Sequence, residues 1–218
     1  MNLEQARINM IKQQVQTWNV TDHEVLELLN KIPRDLFVPE NYKTLAFADM
    51  EIPLGEGEIM LSPKLEAKLL QALHVQSHEV VLEVGTGSGY FTALLARRAR
   101  HVYSVEIHAE LNRQAKENLA KLHVRNISLE VGNAAIGWVN EEPAYDVIVL
   151  TGSVPVLPNQ FKQQLRIGGR LLAIVGDRPV MEVQMIERLG ENEWHTRSLF
   201  ETVVPPLLCV TEPSRFVF

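Results

Sequence analysis

The run Gly85-Thr86-Gly87-Ser88-Gly89 is the pattern in this chain best suited to holding a ligand. Glycines at alternate positions let backbone N–H groups approach a bound molecule that a Cβ would hold off. Three later positions could share its work. Glu106 closes the next apolar run, 17 residues after Gly89; Asn133 closes the one after, and Thr151-Gly152 the one after that. A carboxylate at 106 can accept hydrogen bonds from both hydroxyls of a ribose. Its competing role is a solvated acid capping the helix that begins near His108. An amide at 133 can accept from an adenine amino group, and its competing role is a turn residue beside Gly132. Thr151-Gly152 borders the place where a reacting group would point, or serves as turn chemistry alone.

The spacing is G-x-G-x-G rather than the G-x-G-x-x-G of dinucleotide sites. The first form is common where the ligand is S-adenosylmethionine, which has no pyrophosphate to seat on a helix N-terminus. The expected cofactor set is therefore Glu83, Gly85, Thr86, Gly87, Ser88, Gly89, Glu106, Ile107, Asn133 and Ala134. No metal site is expected. His74 and His78 have H-x-x-x-H spacing, but no glutamate lies between them as in H-E-x-x-H. The chain has no G-x-S-x-G elbow and no G-K-[ST], so hydrolase and nucleotide-triphosphatase chemistry have no residues to stand on.

These residues need a scaffold, and hydropathy patterning supplies one. Val80-Val81-Leu82 before the glycines reads as a buried strand, and the segment after them as a helix. Val102–Val105, Ile127–Val131, Asp146–Leu150 and Arg170–Val175 read as further strands. Helices fall between them, with Leu111, Ala115, Leu119 and Leu122 on one face and a short helix over 158–165. Strands alternating with helices predict right-handed crossovers and a parallel sheet. Val180–Leu189 and Trp194–Val203, around Gly190-Glu191-Asn192-Glu193, predict an antiparallel hairpin at its end.

Upstream, Ile8, Ile11, Val15 and Trp18 share a helical face over 3–18. Thr21-Asp22-His23-Glu24 has capping-box spacing before a second helix that ends near Lys31. Ser62 before Pro63 suits an N-cap for a helix over 63–73. The fold expected is α/β: a doubly wound, mostly parallel seven-stranded sheet. Residues 1–60 form a helical appendage with a loop able to roof a pocket, and residues 61–218 form the cofactor-binding domain.

Composition narrows the rest. Hydrophobic residues make up 46% of the 218, enough for a sizeable core, and charged residues 22%, which argues against disorder. A net charge of −6 argues against nucleic acid as the main partner. No apolar run is long enough to span a bilayer, and the N-terminus lacks an apolar signal core. A single cysteine, Cys209, rules out an internal disulfide and fits a reducing compartment, so a cytoplasmic location is expected. Its neighbours Leu207, Leu208 and Val210 predict a buried, structural thiol.

Several blocks together resemble the protein-L-isoaspartate O-methyltransferase family of class I S-adenosylmethionine-dependent methyltransferases. They are Leu82–Tyr90 (LEVGTGSGY), Lys31–Pro39 (KIPRDLFVP), Ala46–Asp49 with Ile52–Gly55, Gly132–Gly137 (GNAAIG) and Gln164–Leu171 (QLRIGGRL). The resemblance covers nearly the whole chain. It implies methyl transfer to a carboxylate of damaged aspartyl residues in proteins, with the cofactor held by Gly85, Gly87, Gly89, Glu106 and Asn133. Two departures stand out. Where the family reads G-x-G-Q-T-I-S-x-P, this chain has Gly55–Pro63 (GEGEIMLSP), so Leu61 stands at the family's serine and Ile59 at its threonine. The family's acid after the third strand is Asn133. Candidate acceptor-side residues are thus Ser62, one place out of register, and Asp49 in the preceding loop. The expectation is a kept cofactor site with an altered acceptor site and weak isoaspartyl turnover. The alternatives are a smaller, more apolar acceptor, or cofactor binding without transfer.

Overall fold

A computed structural model describes residues 2–139 and 144–210. The N-terminal run is helical in three hydrogen-bonding modes: α1 (Leu3–Asn9), a π-helical stretch Met10–Val15 and a 3-10 turn Gln16–Trp18. The wider π bonding rotates the buried face, so Met10, Ile11 and Val15 go inward while Trp18 stays 48% exposed, against the single-face expectation. In α2 (His23–Lys31) the cap is Asp22, not Thr21: Asp22 Oδ1 accepts from the N–H groups of Glu24 and Val25 at 2.9 and 3.3 Å.

Between α2 and Ser62, where sequence predicts a loop over 37–58, lie two 3-10 turns, Arg34–Phe37 and Glu40–Leu45, and a small hairpin, β1 (Ile52–Gly55) with β2 (Glu58–Met60). α3 (Pro63–Leu73) has proline at its first turn. Ser62 occupies the N-cap position, but its side chain makes no cap hydrogen bond.

The main sheet begins at β3 (Val80–Val84). It is followed by α4 (Tyr90–Ala96), β4 (His101–Glu106), α5 (Ala109–Lys121), β5 (Ile127–Val131), β6 (Tyr145–Val154), α6 (Asn159–Gln163), β7 (Leu165–Asp177), β8 (Val180–Gly190) and β9 (Glu193–Glu201). Its seven strands lie in the order β5-β4-β3-β6-β7-β8-β9. The first five pair in parallel, while β7–β8 and β8–β9 are antiparallel. The expected mostly parallel seven-stranded sheet with a terminal hairpin is thus the observed one. The strands run longer than their apolar runs because β6–β7 pairing resumes beyond irregularities that take in Gly168-Gly169 and Thr151-Gly152.

Alternate residues of each strand face opposite sides. Val81, Val102, Val147 and Leu172 join one core layer with residues from the N-terminal helical run and α2 to α5. Leu82, Val105, Ile148 and Leu171 join the other with Phe161 of α6. Strand order reverses between β3 and β6, which opens a crevice at the carboxyl ends of the parallel strands. Among the described residues no helix is long and apolar enough to cross a membrane.

Candidate active site

Every segment entering that crevice is held in place by its own chemistry. Gly85 adopts φ +96°, and a Cβ there would lie 2.2 Å from Thr151 Oγ1, so the position excludes any side chain. Thr151 Oγ1 lies 2.9 and 2.8 Å from the carbonyls of Val84 and Gly85, locking the start of the loop to β6. Gly87, at φ +52°, donates its N–H to Glu106 Oε2 at 2.8 Å. The other oxygen of Glu106 accepts from His108 N–H at 3.0 Å, and the side chain is almost fully buried. Gly89 has a different reason to be glycine. It is the left-handed N-cap of α4, and a Cβ would press on Ala115 and Leu119 of α5 at 3.1 Å each.

Behind the loop lies a chain of buried polar groups. Thr86 and Ser104 share a hydroxyl–hydroxyl bond of 2.6 Å, and Ser104 donates on to Glu83 at 2.7 Å. Thr92 of α4 donates to the same Glu83 oxygen at 2.5 Å. Burial pushes the Glu83 carboxyl up to about 8 in spite of these two donors. Glu83 therefore anchors strand to loop and helix, and it does not border the cleft.

The cleft itself holds about 690 Å³ of empty space, open solvent at its mouth included. Gly85, Gly87, Glu106, Ile107, Asn133 and Ala134, all expected from sequence, line it. Thr86 and Ser88 border a smaller cavity adjoining it, and Gly89 borders neither. Asn133 Oδ1 accepts from Ala135 N–H at 2.9 Å, so the turn role and a place in the cleft coexist. Ile59 and Leu61 form part of the wall, as the family register implies. Ser62 and Asp49 do not line the cleft. Asp49 instead pairs with Lys64 at 2.7 Å.

Sequence reading missed the roof. The segment Pro205-Pro206-Leu207-Leu208 borders the cleft. Ser153 holds it from both sides, donating its N–H to Pro205 O at 3.0 Å and accepting from Leu207 N–H at 2.9 Å. Leu207 lies close over Gly152, where a Cβ would come within 2.9 Å of it. The signal was present in Ser153 after Thr151-Gly152 and in the double proline, but pairing across some fifty residues has no local signature. The same segment corrects the cysteine expectation: Cys209 is exposed, at φ +61°, because the chain turns there instead of continuing inward.

The model of the family described as Protein-L-isoaspartate(D-aspartate) O-methyltransferase matches residues 5–208. Protein-L-isoaspartate O-methyltransferase 1 of Syntrophobacter fumaroxidans is 38% identical over 196 residues, covering 90% of this chain and 91% of that one. The protein-L-isoaspartate O-methyltransferase of Methanoculleus marisnigri is 41% identical over 188 residues, 86% of this chain and 85% of its own.

Among solved structures, a protein-L-isoaspartate O-methyltransferase superposes with a TM-score of 0.79 at 23% identity, over 92% of this chain and 65% of that longer chain. A Plasmodium falciparum structure of a proposed member, in complex with S-adenosyl-L-homocysteine, gives 0.76 at 19% identity over 95% and 98%. At these identities the structures speak to the fold alone. With the family model spanning nearly the whole sequence and relatives this similar over most of their length, the chain belongs to the protein-L-isoaspartate O-methyltransferase family.

Proposed function

We propose that this chain binds S-adenosylmethionine in the cleft and transfers a methyl group to the carboxylate of an isoaspartyl residue in a protein or peptide. The observation that carries the cofactor half is the grip of Glu106 on Gly87 N–H, in a loop where Gly85 has no room for a Cβ. S-adenosylmethionine supplies a methyl group already activated on a sulfonium. The chain supplies alignment and exclusion of water. Each oxygen of Glu106 keeps a lone pair beyond its backbone bond, enough to accept from a ribose hydroxyl. Asn133 Oδ1 likewise keeps one for an adenine amino group.

A carboxylate acceptor is ionised at neutral pH, with an ordinary pKa of about 4, so the transfer needs no general base. At the acceptor end, however, Ile59, Leu61, Leu207 and Leu208 present carbon, and the Thr151 hydroxyl proton is already committed to main-chain carbonyls. Among the described residues no side-chain hydroxyl there steadies a bound carboxylate, so turnover is expected to be slow. The same apolar wall favours a second reading, in which the acceptor is a smaller and more apolar molecule. Calorimetry with S-adenosylmethionine, followed by labelled-methyl transfer to an isoaspartyl peptide beside its aspartyl twin, tests both. Cofactor binding with isoaspartyl-specific transfer supports the first reading. Binding without transfer to that peptide leaves the second, and no binding removes both.

A further inference from the structure

Arg34 is fully buried, yet it does not border the cleft. Its guanidinium reaches three separate segments. Nε donates to Ala46 O at 2.9 Å, Nη2 donates to Leu61 O at 2.6 Å, and Nη1 donates to the Glu66 carboxylate of α3. It also lies 5.1 Å from the ring centroid of Tyr90, the first residue of α4. A planar fork of N–H groups satisfies three such acceptors only in one relative arrangement. One of them is the main chain of the cleft wall: Leu61 lines the cleft with its side chain while its carbonyl turns back to Arg34. Fixing that carbonyl fixes the plane of the peptide bond between residues 61 and 62. The Leu61 Cα lies in that plane, so the point from which its side chain leaves the backbone is placed with it. Leu61 and Glu66 also border one small cavity that shares Ile59, Gly85, Gly87 and Thr151 with the cleft, so Glu66 of the ion pair lies next to the wall.

We propose that Arg34 is a positioning residue for methyl transfer, setting the acceptor wall through the Leu61 carbonyl without touching cofactor or acceptor. The proposal rests on the functional reading above. Its effect should fall on the acceptor side, because Arg34 makes none of the bonds that hold Gly85, Gly87 or Glu106.

Two variants of the full chain separate this role from plain stabilisation. Arg34→Lys keeps a cation for Glu66, but a single ammonium cannot replace the fork to Ala46 and Leu61. Glu66→Gln weakens the ion pair while leaving those two bonds in place. Both should bind S-adenosylmethionine within about threefold of the parent. Arg34→Lys should lower kcat/KM for the isoaspartyl peptide by about 10- to 100-fold, as expected for a displaced wall. Glu66→Gln should change it less than about threefold.

Amide hydrogen exchange in the S-adenosylhomocysteine complex gives a readout independent of turnover. Residues 58–62 should exchange about tenfold faster in Arg34→Lys, with 80–84 unchanged. If Arg34→Lys fails to fold, the double variant Arg34→Met/Glu66→Met removes both buried charges together and should show the same local loosening. Parent-like exchange at 58–62, or equal loss of kcat/KM in Arg34→Lys and Glu66→Gln, would overturn the proposal. Absence of isoaspartyl transfer by the parent chain would instead remove the functional reading, and exchange alone would then decide the role of Arg34.

Discussion

Glu106 accepts two backbone N–H groups, one from the glycine loop and one from His108, the residue just before α5. That arrangement demands an acceptor at both oxygens. In Glu106→Gln the new NH₂ must face one of the two N–H donors, so the loop loses its hold even though an amide could still serve a ribose. We expect S-adenosylmethionine affinity to fall by roughly 1.5–3 kcal/mol, about ten- to 150-fold. Unchanged affinity by calorimetry in a folded variant would take Glu106 out of the cofactor site. At the acceptor end the residue that decides is Leu61. Its replacement by serine restores a donor of the kind whose loss typically costs about 10²–10³ in rate. Leu61→Ser should therefore raise isoaspartyl turnover, with Ile59→Thr adding to it. Ser62 is the internal control. Its hydroxyl makes no cap bond, so Ser62→Ala should cost less than the low end of the usual cap penalty, about 0.5 kcal/mol. Turnover abolished by Ser62→Ala in a stable protein would show that Ser62 does the serine's work.

The glycine loop joins β3 to α4, and its three glycines answer to three different neighbours. Gly85 yields to Thr151 of β6, Gly87 to the Leu54 side chain of β1 at 3.2 Å, and Gly89 to α5. All three were legible as one motif, but the motif alone assigned them one purpose. Only packing distinguishes a glycine that admits a ligand from one that admits a helix. The difference is testable with Gly89→Ala. A Cβ at φ +84° pressed on Ala115 and Leu119 should destabilise the fold by about 1–3 kcal/mol, while S-adenosylmethionine affinity per folded molecule stays nearly unchanged. Urea unfolding and calorimetry on the same sample check it. A large loss of affinity without loss of stability would place Gly89 at the ligand after all. Element by element, apolar runs and caps told where β3 to β5 and α2 to α5 lie. They did not show the β1–β2 hairpin, whose pairing includes Pro53 and whose turn holds a left-handed Glu56, because local propensity is poor there and the contact is what forms it.

At the scale of the molecule, the mostly parallel sheet with its terminal hairpin and the place of the glycine loop in it were readable because strand periodicity and the glycine motif are local signals. Long-range devices were not. The roof clamped by Ser153 and the Arg34 fork join residues tens of positions apart, and nothing in their own neighbourhoods announces the partner. Glu83 is a third such device, and it has a consequence for the whole fold. It lies in the middle of a fully buried strand, and burial pushes its carboxyl from an ordinary 4.5 up to about 8, with Glu106 and Glu66 adding to the rise. A group whose folded value exceeds its unfolded one stabilises the fold fully below the unfolded value, and that contribution is lost as pH rises through the folded one. The window for Glu83 therefore runs from about 4.5 to about 8. Glu66, pushed up to about 7 by burial against the pull of Arg34, acts in the same direction. Unfolding free energy should decline between pH 5.5 and pH 8.5, with Glu83 accounting for an amount on the order of a few kcal/mol. Glu83→Gln keeps an acceptor for Thr92 and Ser104 but cannot ionise, so its stability should depend less on pH across that range. The two unfolding curves, measured in urea at matched pH, should lie at a constant offset below about pH 4.5 and shift steadily from there to about pH 8, with the variant gaining on the parent. Parallel curves across the range would mean that Glu83 is already ionised at pH 5.5, held so by its two hydroxyl donors.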